Sequence, residues 1–326
     1  MDKMREKRFP GVAQAVAPVC LGTAQFGDST GESQAFAVLD GYAAAGGNFI
    51  DTANCYGKWL PAGENVSEQI LGRWLRSRGG RHSLVISTKG GHPPFSDMRA
   101  SRLHEREVRA DLEESLDALG VDEVEIYWLH RDDPAQPAGA LVELLETLRR
   151  EGRILAYGVS NWSSARFAEA AQYAADHGYT GFCGLQNQWS LARVNREQIA
   201  DQTLACIDGA AYRLLLERRG SLGAMAFSAM GKGYFSRAAA GRLAPGALRE
   251  YRNSLNEKRL AALQSIARER GVSVAALVLA WMACKPMDAV PIASVSSAAH
   301  LRELTESFDL ALTAEELERL DAGEAF

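Results

Sequence analysis

The chain has 326 residues, of which 47% are hydrophobic and 24% charged, and its formal net charge is -5 at pH 7. It can bury a large core, and its acidic balance argues against nonspecific nucleic-acid binding, which needs a basic face. The charged N-terminus has no signal-peptide core and no run of about 18 apolar residues could cross a membrane, so we expect a cytoplasmic protein without a membrane partner. Five scattered cysteines without a CxxC pair indicate free thiols.

Short apolar runs alternate with amphipathic segments along the chain. The runs predict eight strands, at residues 19–21, 48–51, 84–89, 124–130, 155–160, 182–189, 224–228 and 289–294. Apolar residues at three- and four-residue spacing predict helices at 31–45, 67–78, 105–119, 138–151 and 163–177. A last helix at 315–320 is predicted to be capped by Thr313 with Glu316.

This alternation implies parallel strands joined by crossover helices. The predicted fold is therefore an α/β protein, a (β/α)8 TIM barrel with long loops over its C-terminal mouth, forming one domain over residues 1–326. A doubly wound sheet is the second choice. A Rossmann domain is not expected, because no Gly-x-Gly-x-x-Gly follows the first strand.

Two segments are too long for simple connections. Residues 191–220 are predicted to form a loop over the barrel mouth and then a helix at 210–219. Residues 232–256 are rich in Gly, Ala, Arg and Asn and could form a mobile lid.

Ionisable residues stand at the ends of three apolar runs. Asp51, Lys89 and His130 end the second, third and fourth predicted strands, and Tyr56 lies five residues after Asp51. Because the C-terminal ends of barrel strands open onto one mouth, these four side chains should converge. Together they could carry out proton chemistry on a carbonyl or an alcohol.

Each of the four suits one role in that chemistry. Tyr56 can donate a proton, but a free phenol has a pKa of about 10. A nearby Lys89 ammonium would favour the phenolate and lower that pKa, and Asp51 would hold the lysine charged and in place. His130 would donate a hydrogen bond to the carbonyl oxygen, where negative charge develops.

Several motifs resemble the aldo-keto reductase superfamily, in order and over essentially the whole chain. They are Cys20-Leu-Gly-Thr23, Asn48-Phe-Ile-Asp-Thr-Ala-Asn-Cys-Tyr-Gly57, Ser87-Thr-Lys89, Trp128-Leu-His130 and Gly158-Val-Ser-Asn161. The segment Leu129-His-Arg-Asp-Asp133 is similar to a bacterial branch of that family. The resemblance implies the same four catalytic roles and an NADPH or NADH cofactor, and hence an NAD(P)-dependent oxidoreductase that interconverts an aldehyde or ketone and the alcohol.

The resemblance also implies a cofactor site. Ser160, Asn161 and Gln186 would bind the carboxamide, Trp189 would stack on the nicotinamide ring, and the loop from Phe227 would bind the pyrophosphate. The full set of implied cofactor-binding residues is Gly22, Thr23, Ser160, Asn161, Gln186, Trp189, Phe227, Ser228, Met230, Gly231, Lys232, Gly233, Ile292, Ser294, Ser296, His300 and Glu303. For Trp189, core packing is the alternative.

The adenine end departs from the family pattern. Many relatives carry Arg or Lys near Ser296 and Arg or Gln near His300, whereas the candidate cations here are His300 and Arg302. A phosphate dianion prefers Arg or Lys. We therefore expect no strong preference for NADPH over NADH.

The substrate pocket is expected to draw on polar and indole side chains, which suit a sugar or polyol but also fit an aromatic aldehyde. The candidates are Asn54, Trp59, Arg131 and Trp162, with packing as the alternative for the tryptophans, and His92 could line the pocket. Cys55 could be a nucleophile, but a buried thiol is favoured because no local histidine would activate it. No pair of histidines or carboxylates has metal-ligand spacing, so no metal is expected.

Two other classes of function remain open. A nicotinamide-binding regulatory subunit with weak catalysis would share the fold, although no partner-binding extension is visible. A metal-dependent sugar isomerase would need clustered carboxylates and histidines at strand ends. The sequence leaves the oligomeric state open.

Overall fold

A computed structural model describes residues 6–324 of the chain. Its centre is a closed barrel of eight parallel strands that neighbour one another in chain order. The strands are β1 Cys20–Gly22, β2 Phe49–Asp51, β3 Val85–Gly90, β4 Val124–Leu129, β5 Ile154–Ser160, β6 Gly184–Gln188, β7 Gly223–Phe227 and β8 Asp288–Ser294. The predicted TIM barrel is confirmed, and each of the eight predicted runs overlaps one of these strands.

The barrel register brings the predicted reactive residues to one end. Gly22 pairs with Asp51 across β1 and β2, and Asp51 pairs with Ser87 across β2 and β3. Lys89 then pairs with Trp128 on β4, two residues before His130. The barrel closes where Leu21 pairs with Ala293 of β8. Parallel pairing thus places the C-terminal ends of these strands side by side.

Helices surround the barrel. They are α1 Glu32–Ala44, α2 Val66–Arg78, α3 Glu105–Leu119, α4 Ala138–Arg150, α5 Ser164–Asp176, α6 Gly209–Glu217, α7 Tyr234–Ala239, α8 Pro245–Tyr251, α9 Ser254–Arg270, α10 Val274–Ala283, α11 Ala298–Glu306 and α12 Ala314–Asp321. Thr313 and Glu316 form the predicted capping box at α12. Across residues 6–324, none of the helices combines the length and the apolar character needed to span a membrane.

The N-terminal end of the barrel is covered by an antiparallel pairing between Lys7 and Val16. Phe9, in the turn of this hairpin, packs against Phe49 with ring centroids 5.9 Å apart and belongs to the core inside the barrel. A second and larger core fills the layer between strands and helices. Access to the barrel interior is therefore from the C-terminal mouth.

Residues 232–256, expected as a mobile lid, contain the short helices α7 and α8. Tyr234, Phe235 and Tyr251 of this segment are buried in the layer between strands and helices. These buried aromatic side chains anchor the segment to the rest of the protein. The abundance of Gly and Ala in the segment gives no indication of this packing. In residues 191–220, the backbone at Cys206 forms an isolated parallel β-bridge with Gln188, and α6 begins three residues later.

Candidate active site

Three of the four predicted catalytic residues form one chain of contacts at the barrel mouth. Lys89 Nζ lies 2.6 Å from Asp51 Oδ2, 2.6 Å from the Thr52 carbonyl oxygen and 3.1 Å from Tyr56 Oη. These three acceptors match the three N–H donors of an ammonium group. The Asp51 and Lys89 side chains are almost completely buried, so their charges lie in a low-dielectric environment.

Burial governs the pKa values of this chain of contacts. Burial opposes the charge on Lys89, but the Asp51 carboxylate and the Tyr56 hydroxyl outweigh it and raise the pKa of the ammonium. Burial also raises the pKa of Tyr56, and the Lys89 charge offsets only part of that rise. Lys89 thus acts on Tyr56 in the expected direction, towards a lower phenol pKa, while burial acts against it.

The Asp51 carboxylate is held from two further sides. Ser87 Oγ donates a hydrogen bond to Asp51 Oδ1 at 2.6 Å, and Gln186 Nε2 donates to the same oxygen at 3.0 Å. Three donors, counting Lys89, fix the carboxylate in one orientation. Gln186, predicted to bind a carboxamide, is thus also part of the hydrogen-bond network around Asp51 and Lys89.

The fourth predicted residue, His130, lies across the pocket from Tyr56, with ring centroids 6.1 Å apart. Burial, and then the neighbouring His92 and Arg131, lower the pKa of His130 well below its ordinary value, so the imidazole is neutral. Its Nδ1 lies 3.5 Å from Cys55 Sγ, and burial raises the pKa of that thiol to about 12. A protonated thiol can donate to Nδ1, and this tautomer leaves the imidazole N–H on Nε2.

The rings of Trp59, Phe95 and His92 line the pocket beside Tyr56 and His130. The Trp59 ring lies 6.3 Å from Tyr56 and 5.8 Å from Phe95. The ring of His92 lies 4.9 Å from Phe95 and 4.7 Å from His130, so His92 does line the pocket. Trp59 and Phe95 are 41% and 48% exposed, which is unusual for large apolar side chains. Phe95 was missed because a lone Phe in a loop after β3 carries no sequence signal.

Two of the four predicted substrate residues point away from the mouth. Asn54 is buried and donates hydrogen bonds to Asp111 and Glu114 of α3. Trp162 is also buried, and its ring packs 5.8 Å from Phe182 in the layer between strands and helices. Neither side chain is placed for the predicted contact with a substrate, because hydrogen bonds hold Asn54 and packing holds Trp162.

Arg131, the third substrate candidate, is held by its neighbours. One of its N–H groups donates to the His130 carbonyl oxygen at 3.1 Å, and another lies 3.2 Å from Asp201 in the segment that follows β6. This ion pair holds the segment around Asp201 against the barrel mouth. Arg131 thereby contributes positive charge beside His130 but has little freedom to reach a substrate.

An elongated cleft of about 630 Å³ leads from Asp51 and Tyr56 along β7 and β8 towards α11. The predicted cofactor residues that line it are Gly22, Phe227, Ser228, Met230, Lys232, Gly233, Ile292, Ser294, Ser296, His300 and Glu303. The predicted cofactor residues Thr23, Ser160, Asn161 and Gln186 are buried at the strand ends beside the acid–base network, and Gly231 is buried in the loop after β7.

Trp189 does not lie where the stacking prediction needs it. Its indole packs against Tyr212 and Trp281, with ring centroids 6.0 Å and 5.3 Å away, in the core outside the barrel. The alternative of core packing describes it. Phe227, half-buried at the end of β7, is the aromatic ring that lines the cleft next to Tyr56.

The cleft fits an extended dinucleotide. Small residues line its middle, and a Cβ at Gly22 would lie 2.8 Å from Ile292 Cγ2, which explains the glycine there. In the loop after β7, Ser228, Gly231, Lys232 and Gly233 all have positive φ, between 52° and 73°. These conformations fold the loop into tight turns beside the cleft, in which the Gly231 and Gly233 N–H groups donate to the Ser228 and Met230 carbonyl oxygens at 2.8 Å and 2.9 Å.

The cleft contains two cations predicted from the sequence, Lys232 and His300, and one that was not, Arg237. Lys232 is held by Glu250 at 2.7 Å, and His300 Nδ1 lies 3.2 Å from Ser296 Oγ. Arg237 of α7 also lines the cleft, is exposed, and makes no ion pair with any residue from 6 to 324. No sequence motif indicates Arg237, because its position in the cleft depends on how α7 packs.

Comparison with known proteins supports one family. Residues 18–324 match the Aldo/keto reductase family. Norsolorinic acid reductase stcV of Emericella nidulans is 29% identical over 94% of this chain and 78% of its own length. The uncharacterized oxidoreductase YrpG of Bacillus subtilis is 29% identical over 94% of this chain and 91% of its own. The putative aryl-alcohol dehydrogenase AAD14 of Saccharomyces cerevisiae is 29% identical over 94% and 83%. The chain belongs to the aldo/keto reductase family.

Proposed function

We propose that this protein is an NAD(P)(H)-dependent oxidoreductase that interconverts an aromatic aldehyde or ketone and the corresponding alcohol. The observation that carries the proposal is the buried Lys89, which contacts both the Asp51 carboxylate and the Tyr56 hydroxyl at the end of an elongated cleft. A regulatory nicotinamide-binding subunit would have no need to keep this pair of charges buried, since burial of ions is costly.

The proton is handled by the chain's own residues. Tyr56 Oη gives its proton to the carbonyl oxygen in reduction and takes it back in oxidation. Lys89 stabilises the phenolate that this transfer leaves, and Asp51 keeps Lys89 charged and in place. His130 donates its Nε2–H to the carbonyl oxygen as negative charge develops. When bound, the nicotinamide cofactor supplies or accepts the hydride at the carbonyl carbon.

The residues of the cleft divide among the parts of the cofactor. Ser160, Asn161 and Gln186 would hold the carboxamide, and Phe227 would stack on the nicotinamide ring. The loop from Ser228 to Gly233 would bind the pyrophosphate through its backbone, with Arg237 as a nearby cation. Ser294, Ser296, His300 and Glu303 would contact the adenosine end. Charge-assisted bonds to phosphate are the strongest of these contacts.

An aromatic substrate is favoured over a sugar. The two side chains predicted to bind hydroxyl groups already have partners, Asn54 in α3 and Arg131 in Asp201. Trp59 and Phe95 instead present exposed rings at the mouth. Aromatic rings pair with one another at centroid distances of about 4.5–7 Å, with a gain of about 0.5–1.5 kcal/mol beyond burial. The names of two relatives, an aryl-alcohol dehydrogenase and a norsolorinic acid reductase, support the same choice.

A panel of carbonyl substrates tests this proposal. Purified protein would be assayed for NADPH and NADH oxidation with substituted benzaldehydes, aryl ketones, straight-chain aldehydes and aldose sugars. We expect kcat/KM for the aromatic aldehydes to exceed that for the sugars by tenfold or more, and Trp59→Ala to reduce this ratio. Activity confined to sugars would contradict the substrate class, and no turnover of any carbonyl or alcohol would contradict the enzyme assignment.

A further inference from the structure

Three potential metal ligands meet in the pocket although they are far apart in the sequence. Cys55, His92 and His130 follow β2, β3 and β4, and each side chain is at most 7% exposed. One ligand atom of each residue lies within 4.8 Å of the other two. Spacing along the chain gives no sign of this cluster, because three neighbouring strands bring the residues together.

The geometry is close to that of a zinc site. Bonds of about 2.3 Å to sulfur and about 2.0–2.1 Å to nitrogen, at a tetrahedral angle, place the two ligand atoms about 3.5 Å apart. Cys55 Sγ and His130 Nδ1 are 3.5 Å apart. The ligand nitrogen of His92 lies within 4.8 Å of the other two ligand atoms, which is at most about 1 Å more than a zinc site needs. A small movement of the His92 ring would therefore complete three-point ligation.

His92 is also oriented as a ligand. Its Nδ1 lies 2.6 Å from the Pro93 carbonyl oxygen, and since a carbonyl can only accept, Nδ1 carries the proton. The lone pair of the neutral imidazole is then on Nε2. Metal-bound histidines commonly donate their other N–H to a carbonyl in this way, which fixes the tautomer and the ring.

The surrounding charges allow a cation. The side-chain cations that act on the three residues are Lys89, Arg131 and Arg102, and they are paired with Asp51 at 2.6 Å, Asp201 at 3.2 Å and Asp111 at 2.6 Å. Binding would release the Cys55 thiol proton to solvent, because a coordinated thiol is deprotonated. The thiolate would then cancel one of the two charges of the ion.

We propose that Cys55, His92 and His130 form a binding site for a thiophilic divalent cation, with Zn²⁺ the best match to one sulfur and two imidazole ligands. Three protein ligands leave the fourth position open towards the pocket. Because the ion would engage His130 and occupy space beside Tyr56, its binding should inhibit turnover reversibly. The inference goes beyond the oxidoreductase activity, since ion binding does not depend on it.

Cobalt provides a direct probe of this site. Tag-free protein, freed of metal and kept reduced, would be titrated with Co²⁺, since tetrahedral Co²⁺ bound to a thiolate has strong visible bands and a sulfur-to-metal charge-transfer band. We expect these bands to saturate at one ion per chain and Zn²⁺ to displace them. Cys55→Ser should abolish the charge-transfer band and weaken Zn²⁺ binding at least tenfold, and His92→Gln should weaken binding. Cys206→Ser, the same change at a partly buried cysteine outside the cluster, should leave both unchanged.

Turnover gives a second readout. Zn²⁺ should inhibit the wild-type protein, EDTA should restore the rate, and Cys55→Ser, measured against its own metal-free rate, should resist inhibition. Absence of the charge-transfer band, or equal Zn²⁺ affinity in wild type and Cys55→Ser, would show an adventitious ion only and overturn the site. Saturated binding without loss of turnover would overturn the inhibitory role. Failure of the carbonyl panel would leave the cobalt spectra unaffected, so the two proposals are tested separately.

Discussion

The two ends of the cleft are built in different ways. At the Tyr56 end, Lys89 and Asp51 are buried and each accounts for several short hydrogen bonds. Away from Tyr56, Ser294 and His300 are exposed towards α11, and Arg237 beside Gly233 is free of ion pairs within residues 6–324. A buried network tolerates little change, because removal of one partner leaves another uncompensated. At an exposed surface with few hydrogen bonds, substitutions that change the charge cost little stability. We therefore expect substitutions to alter the cofactor preference more readily than the reaction chemistry.

The largest expected effect comes from the buried end. Tyr56→Phe removes the transferable proton and little volume, so turnover should fall by about 10²–10⁴-fold while cofactor affinity stays within about twofold. Turnover would be measured under chemistry-limited conditions and binding by fluorescence quenching. Tyr173→Phe, which removes a hydroxyl bonded to Glu143 on the outer surface, is the matched control. Near-normal turnover of Tyr56→Phe would show that another group donates the proton.

The second prediction distinguishes the effect of the Lys89 charge on the reaction from its effect on the stability of the fold. Lys89→Met should shift the pH–rate profile for alcohol oxidation to higher pH, because the lysine charge now limits the rise in the Tyr56 pKa and the phenolate is the base in that direction. It should also destabilise the fold by about 3–5 kcal/mol, since Asp51 loses its buried partner. The double variant Asp51→Asn with Lys89→Met should recover part of the stability but not the rate, as measured by denaturant unfolding. An unchanged pH profile would remove Lys89 from the proton-transfer step.

The smallest effect is expected at the exposed end. Arg237 lies beside the loop that ends at Gly233. Arg237→Ala should therefore weaken NADPH and NADH binding to similar extents, by about tenfold. The reason is that a charge-assisted hydrogen bond contributes roughly 1.5–3 kcal/mol. Ser296→Arg should instead strengthen NADPH binding more than NADH binding. Titration of both cofactors would measure this, with Arg242→Ala as the control. If wild-type protein binds NADPH a hundredfold tighter than NADH and Arg237→Ala abolishes the difference, Arg237 contacts the 2′-phosphate and our expectation of weak preference is wrong.

The barrel and the positions of the candidate catalytic residues could be predicted because their signals are local. Each strand is an apolar run, and Asp51, Lys89 and His130 stand at the ends of such runs. The helices α7 to α11 were not predicted. In α10, eight of ten residues are buried, so the segment has no polar face and lacks the periodicity that indicates a helix.

Side-chain direction was harder to predict than position. Alternation along β6 turns Gln186 towards Asp51, so Trp189, three residues later, faces the opposite side and enters the outer core. At Trp162 the alternation from Ser160 is broken, because Asn161 has a left-handed φ of 63°. A single change of backbone conformation after a strand thus decides whether an aromatic ring faces a ligand or the core.

The hairpin beneath the barrel has a consequence for folding. Lys7 Nζ donates hydrogen bonds to the carbonyl oxygens of Ala283 and Ala289, at 2.8 Å and 2.7 Å, across 276 and 282 residues of sequence. The hairpin is therefore synthesised well before the two residues that Lys7 contacts. Contacts of such long range slow folding, because loop closure must precede them. Until the chain is nearly complete, Phe9 lacks much of the core that it closes, and the nascent barrel exposes apolar surface at its base.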